Sequence, residues 1–169
     1  FSDSIMLNVS RGCTRGCRFC MSSYLYRPLR ETTIKELVNI ALKTRENTNL
    51  NKITLIGAAV GDYYDLEGLT KALESEGFQI ATPSLRIDSL SRETLETLKK
   101  SGLKSITIAP ESISTLRERI NKSISDEKIF SVIKNAVDLD FNIKLYFLIG
   151  IPYESKEDIE ELANYIEKI

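Results

Sequence analysis

Apolar residues recur along this chain in two alternating rhythms, short near-continuous runs and runs spaced by three and four, and the alternation predicts strands and helices in turn. Ile5-Met6-Leu7-Asn8-Val9 is the first short run, which reads as a strand. Ile34, Leu37, Val38, Ala41 and Leu42 keep the helical period, and Thr33 with Glu36 supplies a capping box at their start. Lys52-Ile53-Thr54-Leu55-Ile56 is β-branched and bounded by Asn51 and Gly57, a second strand, with Leu66, Leu69, Ala72 and Leu73 marking the helix after it. Residues 78–80 and 85–87 then precede a helix opened by Ser91, carrying Leu95 and Leu98 and closed near Gly102. Strand 105–108 leads to a short helical turn around Leu116 and Ile120. A longer helix follows behind the cap Ser125, with Ile129, Val132, Ile133, Ala136 and Val137 at helical spacing. Residues 143–149 make a fifth, strongly apolar strand, and Ser155 caps a last helix with Ile159, Leu162, Ala163 and Ile166 on one face.

Strands alternating with amphipathic helices imply an α/β fold with parallel pairing and right-handed crossovers. A strand-helix-strand unit takes about 30 residues or more, so 169 residues hold five strand-helix pairs at most. In such folds the ligand sits at the carboxyl ends of the strands. Each unusual motif of the chain falls at one of those ends. They are the cysteines after strand one, Gly57-Ala58-Ala59-Val60-Gly61-Asp62-Tyr63 after strand two and Arg86-Ile87-Asp88 after strand three. Ala109-Pro110-Glu111-Ser112 follows strand four, and Gly150-Ile151-Pro152 follows strand five.

Composition narrows the class. A 42% hydrophobic content and a net charge of −1 suit one globular domain with a sizeable core and argue against disorder. No apolar run approaches the roughly 20 residues that span a bilayer, and the start lacks a signal-like segment. A cytoplasmic protein without a membrane partner is the expectation. Arg11, Arg15, Arg18, Arg27 and Arg30 crowd one segment, but the near-neutral balance gives no bulk attraction to nucleic acid. Charge compensation beside anionic thiolates accounts for them better than an RNA surface.

Those thiolates carry the chemistry. Cys13, Cys17 and Cys20 are the only cysteines, spaced Cys-x3-Cys-x2-Cys, and histidine is absent. Structural zinc takes four ligands, so three cysteines without histidine fit it poorly. A disulfide framework fits an odd count no better. A four-iron cluster held by three thiolates keeps one iron open for a substrate or cofactor, whereas electron-transfer ferredoxins close that position with a fourth cysteine.

The cysteine loop, with Phe19 just before its last cysteine, resembles that of the radical S-adenosylmethionine (SAM) superfamily. The resemblance implies a partial parallel (β/α) barrel of the radical SAM type, with about five units present and a sixth strand truncated. Because the chain begins at Phe1 and stops at Ile169 inside a helix, 1–169 reads as a core domain excised from a longer protein. It also implies a [4Fe-4S] cluster on Cys13, Cys17 and Cys20, with SAM chelating the open iron. One electron, from a donor such as a flavodoxin or ferredoxin, then cleaves SAM to methionine and a 5′-deoxyadenosyl radical for hydrogen abstraction.

Gly57, Ala58 and Ala59 stand where the family has its Gly-Gly-Glu region. Ala59 replaces the glutamate, so only backbone carbonyls remain to accept from the SAM ammonium; an ordinary tight turn is the alternative. Asp62 offers a carboxylate nearby. Glu111 either takes both ribose hydroxyls or is a helix-start acid favoured by the dipole. Lys122 matches the family's partner for the SAM carboxylate, or is a solvated lysine. Arg86 would do the same work or contact substrate. Phe19 and Ile149 either flank the adenine or belong to the core, and Gly150 with Pro152 resembles the adenine-contacting turn.

Further similarity lies in Ser10-Arg11-Gly12-Cys13 through Tyr24-Leu25-Tyr26-Arg27-Pro28, in Pro83-Ser84-Leu85-Arg86-Ile87-Asp88, in Ala109-Pro110-Glu111 and in Lys144-Leu145-Tyr146-Phe147. These strings resemble radical SAM proteins carrying a cobalamin-binding domain and, as siblings, the tRNA methylthiotransferases. Methyl or methylthio transfer is the implied activity, with cobalamin supplied by a domain outside this chain. The rival from another class is a non-catalytic iron-sulfur electron carrier or metal-stabilised interaction module.

Overall fold

A computed structural model of the chain describes residues 3–82 and 85–169. Its strands are β1 (Ile5–Arg11), β2 (Arg30–Glu31), β3 (Lys52–Gly57), β4 (Gln79–Ala81), β5 (Ser105–Glu111) and β6 (Asn142–Phe147). Its helices are α1 (Ser22–Leu25), α2 (Ile34–Thr48), α3 (Leu66–Ser75), α4 (Arg92–Lys100), α5 (Ser114–Arg119), α6 (Asp126–Asp138) and α7 (Lys156–Glu167). Helix starts follow the side-chain chemistry read above. Thr33 and Glu36 form the capping box of α2, Ser91 and Ser125 cap α4 and α6, and Ser155 pairs with Asp158 in a second box at α7.

One sheet runs β2-β1-β3-β4 and the other β5-β6; β1, β3 and β4 are mutually parallel, as are β5 and β6. Flanking segments bridge the two: the Ile80 amide of β4 donates to the Ser101 carbonyl at the end of α4 at 3.2 Å, and the Leu85 amide, after β4, to the Thr107 carbonyl of β5 at 3.1 Å. The result is the partial parallel barrel of five strand-helix units. Its core is apolar: Leu7, Val9, Ile53, Leu55, Ile106 and Ile108 face inward, and Leu37, Leu69, Leu73, Leu95 and Leu98 pack on them from the helices. Each such side chain adds roughly 1.5–3 kcal/mol on leaving water. No helix among the described residues is long and apolar enough to cross a membrane.

Three details differ from the sequence pattern. Residues 85–87 form no strand: Ile87–Ser89 is a single 3-10 turn, closed by Ser89 Oγ donating to the Arg86 carbonyl at 3.1 Å. Strand β6 ends at Phe147 rather than 149; the Leu148 amide makes one more bond, to the Glu111 carbonyl at 2.7 Å, before Gly150 turns the chain with φ +87°. An antiparallel two-residue partner, β2, pairs Glu31 and Arg30 with Ser10 and Arg11 of β1. Pro83 and Ser84, part of one similar string, lie outside the described residues.

Candidate active site

The cysteine loop connects β1 to α1 and is clamped from both sides. Gly12, directly before Cys13, has φ +91°, and a Cβ there would come within 2.3 Å of the Tyr26 carbonyl oxygen and 2.9 Å of that of Pro28. Only glycine fits so close a return of the backbone. Across the loop, Asn121 Nδ2 donates to the carbonyls of Arg15 and Gly16 at 3.1 and 3.0 Å. Beside it the Arg18 amide donates to the Ile120 carbonyl at 2.9 Å and Arg18 Nη1 to the Arg119 carbonyl at 2.6 Å.

Cys13 and Cys17 are buried, Cys20 is half-buried, and all three are free thiols. They line one cleft of about 230 Å³ together with Phe19, Gly57, Ala58, Ala59, Arg86, Glu111 and Lys122. Ile149 is not brought in. It is 73% exposed because β6 has already ended, and Tyr146 lines that side instead. Among the described residues, no three His, Cys, Asp or Glu side chains are grouped as round a single metal ion. A cubane cluster makes a different demand, since each thiolate takes its own iron. A donor set of three soft sulfurs sharing one cleft wall fits that group.

Gly57 has a reason besides ligand approach. It pairs with Ser10 of β1, whose Oγ would lie 2.9 Å from an added Cβ. Ala58 and Ala59 follow as a turn ending β3.

A chain of alternating charges reaches the cleft through Arg86, with Asp88, Arg15 and Asp62 behind it. Asp62 accepts from Arg15 Nε at 2.8 Å and Nη2 at 2.6 Å, so its carboxylate is engaged with the cysteine loop. Arg15 Nη1 reaches Asp88 at 3.0 Å. Asp88 also takes Arg86 Nε and Nη2 at 2.9 and 3.0 Å, and Arg86 Nη1 stands 3.8 Å from Cys17 Sγ. Burial pushes the Asp88 carboxyl up, but the hydrogen bonds and charge of Arg86, with the charge of Arg15, outweigh it and hold it below the usual range. The hydrogen bond to Asp62 holds Arg15 protonated more firmly than usual, against the opposing pull of burial.

Glu111, which also lines the cleft, ends β5 with φ +70°, at the point where pairing with β6 shifts register. A non-glycine residue in that region costs about 1–3 kcal/mol, and such outliers gather at functional sites. Its Oε1 accepts from Lys122 Nζ at 2.6 Å, with both side chains 9% exposed. Lys122 is therefore no solvated lysine. Glu111 lies in the strand, ahead of Ile113, the N-cap of α5. Fully buried Arg117 braces the same loop, donating to the Ser112 carbonyl, to the Ile124 carbonyl at 3.0 Å and to Asp126.

The sequence reading missed Arg15, Asp88, Arg117 and Asn121 as parts of this frame. Their partners stand 47, 106 or a few irregularly spaced positions away, and only the strand-end location of Asp62 and Asp88 hinted at them. Phe19 also lines a larger, mostly apolar hollow of about 600 Å³ with Arg18, Arg119, Ile120, Ile151, Pro152 and Tyr153. It contains no cysteine; the three thiols line the smaller cleft.

The profile of the radical SAM superfamily matches residues 7–166. An uncharacterized protein of Methanocaldococcus jannaschii is 39% identical over 175 residues, covering all of this chain and 38% of its own length. The cytidylyl-2-hydroxyethylphosphonate methyltransferase of Streptomyces wedmorensis is 27% identical over 173 residues, covering 96% of this chain and 32% of its own length. The chain thus spans about a third of the length of these curated relatives. Among solved structures, the radical SAM methyltransferase TsrM from Kitasatospora setae, with cobalamin and a [4Fe-4S] cluster bound, superposes with a TM-score of 0.82. Identity there is 10%, over 98% of this chain and 34% of the other, so the likeness is one of fold.

Proposed function

The chain belongs to the radical SAM superfamily, and on that footing we propose that it is an enzyme core holding a [4Fe-4S] cluster on Cys13, Cys17 and Cys20 with SAM beside it. The observation that supports this reading most is the shared cleft: three free thiols face the same space as Gly57, Ala58, Ala59, Arg86, Glu111 and Lys122. When bound, the cluster and SAM supply a 5′-deoxyadenosyl radical, which abstracts hydrogen from carbon that no acid or base in this chain could activate.

The chain's own groups bind and orient. The Glu111 carboxylate accepts from the ribose hydroxyls, and the Lys122 ammonium, neutralising Glu111 in the free protein, turns toward the SAM carboxylate. Carbonyls of Gly57 to Ala59 accept from the SAM ammonium. Phe19, lining both the cleft and the apolar hollow, covers the adenine and excludes water. Held so, the reacting parts need no search for orientation.

For the whole protein we assign methyl transfer, supported by the named relative, with cobalamin and substrate met outside this chain and a flavodoxin or ferredoxin as electron donor. The test is anaerobic reconstitution of the intact protein with iron and sulfide. The expected product is a brown protein that cleaves SAM on reduction, and Cys17→Ala abolishes this. Intact turnover in that variant, or a cluster that ignores SAM as an electron carrier's would, contradicts the reading.

A further inference from the structure

We propose that Arg86 is a positioning residue for the metal centre. Its guanidinium, fixed in a two-pronged pair with Asp88, donates from Nη1 to the sulfur of Cys17 and so eases uptake of an electron by the cluster held there. The proposal rests on the reading of Cys13, Cys17 and Cys20 as cluster ligands.

The geometry assigns the donors one by one. A guanidinium carries five N–H groups in a rigid planar fork. Arg86 commits the Nε and Nη2 edge to Asp88 at 2.9 and 3.0 Å, which leaves Nη1 facing Cys17 Sγ at 3.8 Å. The side-on edge is therefore occupied, so a further carboxylate could approach only the remaining N–H groups of Nη1 and Nη2 at the far end. Arg86 is not free to swing. Asp88 is held in turn by Arg15 at 3.0 Å, and Arg15 forks onto Asp62.

Backbone packing seats the same parts. A Cβ on Gly61 would lie 2.4 Å from Ser89 Oγ and 3.2 Å from the Arg86 amide nitrogen, so the turn carrying Asp62 rests directly against the turn carrying Arg86. Three strand-end loops are thus locked around one N–H···S contact. With its side chain only 17% exposed, Arg86 keeps its charge where water screens it little.

The direction of the effect follows. One electron added to the cluster makes its sulfurs more negative. A cationic donor on a ligating thiolate stabilises that reduced state over the oxidised one and raises the potential. Removing the donor lowers it.

The experiment is an anaerobic redox titration of the reconstituted intact protein, followed by electron paramagnetic resonance, with iron and sulfide counted in each sample. Arg86→Gln should load iron and shift the midpoint downward by about tenfold in the reduction equilibrium, about 59 mV for a one-electron couple. Arg86→Lys keeps the charge without the fork, and its midpoint should fall between the two. A fully loaded Gln variant with an unchanged midpoint overturns the proposal, as does a Lys variant at the wild-type value. Should the Gln variant load poorly, the Lys variant decides. Reduced loading with the wild-type midpoint in every loaded fraction would mean that Arg86 only braces the loop, and would also overturn it. A wild-type protein that assembles no cluster is a separate result, visible in the iron count, and overturns the underlying reading together with the proposal.

Discussion

Along the wall formed by the ends of β1 and β3 and the turn after β4, Asp62, Arg15, Asp88 and Arg86 alternate in sign. Arg15 is 39% exposed there and Asp88 25%. The wall formed by the end of β5 has a single pair, Glu111 and Lys122, each 9% exposed. Water screens the Arg15 end of the first set, and pairs exposed to that degree contribute about 0–1 kcal/mol each; Asp62 at 11% and Arg86 at 17% are screened less. Nothing screens the second. Its net contribution is small because desolvation offsets attraction, yet removing one partner strands a charge at about 3–5 kcal/mol. The contrast assigns the walls different work: the open chain ties three loops into one frame, while the closed pair keeps a carboxylate and an ammonium satisfied inside the cleft, and in the proposed function a ligand replaces each for the other.

The largest effect that would break this contrast is Lys122→Met. It should lower unfolding free energy by about 3–5 kcal/mol in urea titrations, and adding Glu111→Gln should recover part of the loss by removing the stranded charge. A double variant no more stable than Lys122→Met would show that the pair is not coupled. A smaller effect belongs to the open wall. Arg15→Gln should cost about 1 kcal/mol or less, and less still in high salt; a loss equal to that of Lys122→Met, or one unmoved by salt, would erase the difference between the walls.

The smallest is a pH effect at Asp88. Its folded carboxyl sits below the usual range because the bonds and charge of Arg86, aided by Arg15, overcome the upward push of burial. The sign is that of a depressed acid: its stabilising contribution is complete above the ordinary aspartate value of about 3.9 and is lost as pH falls through the lower folded value. Carboxyl chemical shifts of Asp88 against pH check this, and a midpoint at or above the ordinary value contradicts it.

What the sequence revealed and what it hid divide along the same line. Helices α2, α4, α6 and α7 were legible because an apolar period and an N-terminal hydroxyl are local signals, and burial of Leu37, Leu95, Ile129 and Leu162 follows from the period alone. The cysteine spacing and the gathering of Gly57, Arg86 and Glu111 at strand ends were legible for the same reason. The apolar run to Ile149 overstated β6, which stops at Phe147, because an apolar run does not say where pairing ends; Ile149 is left exposed outside the cleft. The Arg15 fork onto Asp62 and the Asn121 clamp on the cysteine loop join residues 47 and 106 positions apart, and no periodicity records such a pair. For Lys122 the sequence offered two readings, a partner for the SAM carboxylate or a solvated lysine, and burial against Glu111 removes the second.

The central claim is that three thiolates hold a cluster whose remaining iron takes SAM. Electron paramagnetic resonance of the reduced, reconstituted intact protein, recorded without and with SAM, tests it most directly. A [4Fe-4S] signal that shifts when SAM is added, and disappears in Cys17→Ala, is the predicted result. A signal indifferent to SAM, or a cluster retained without Cys17, would contradict it.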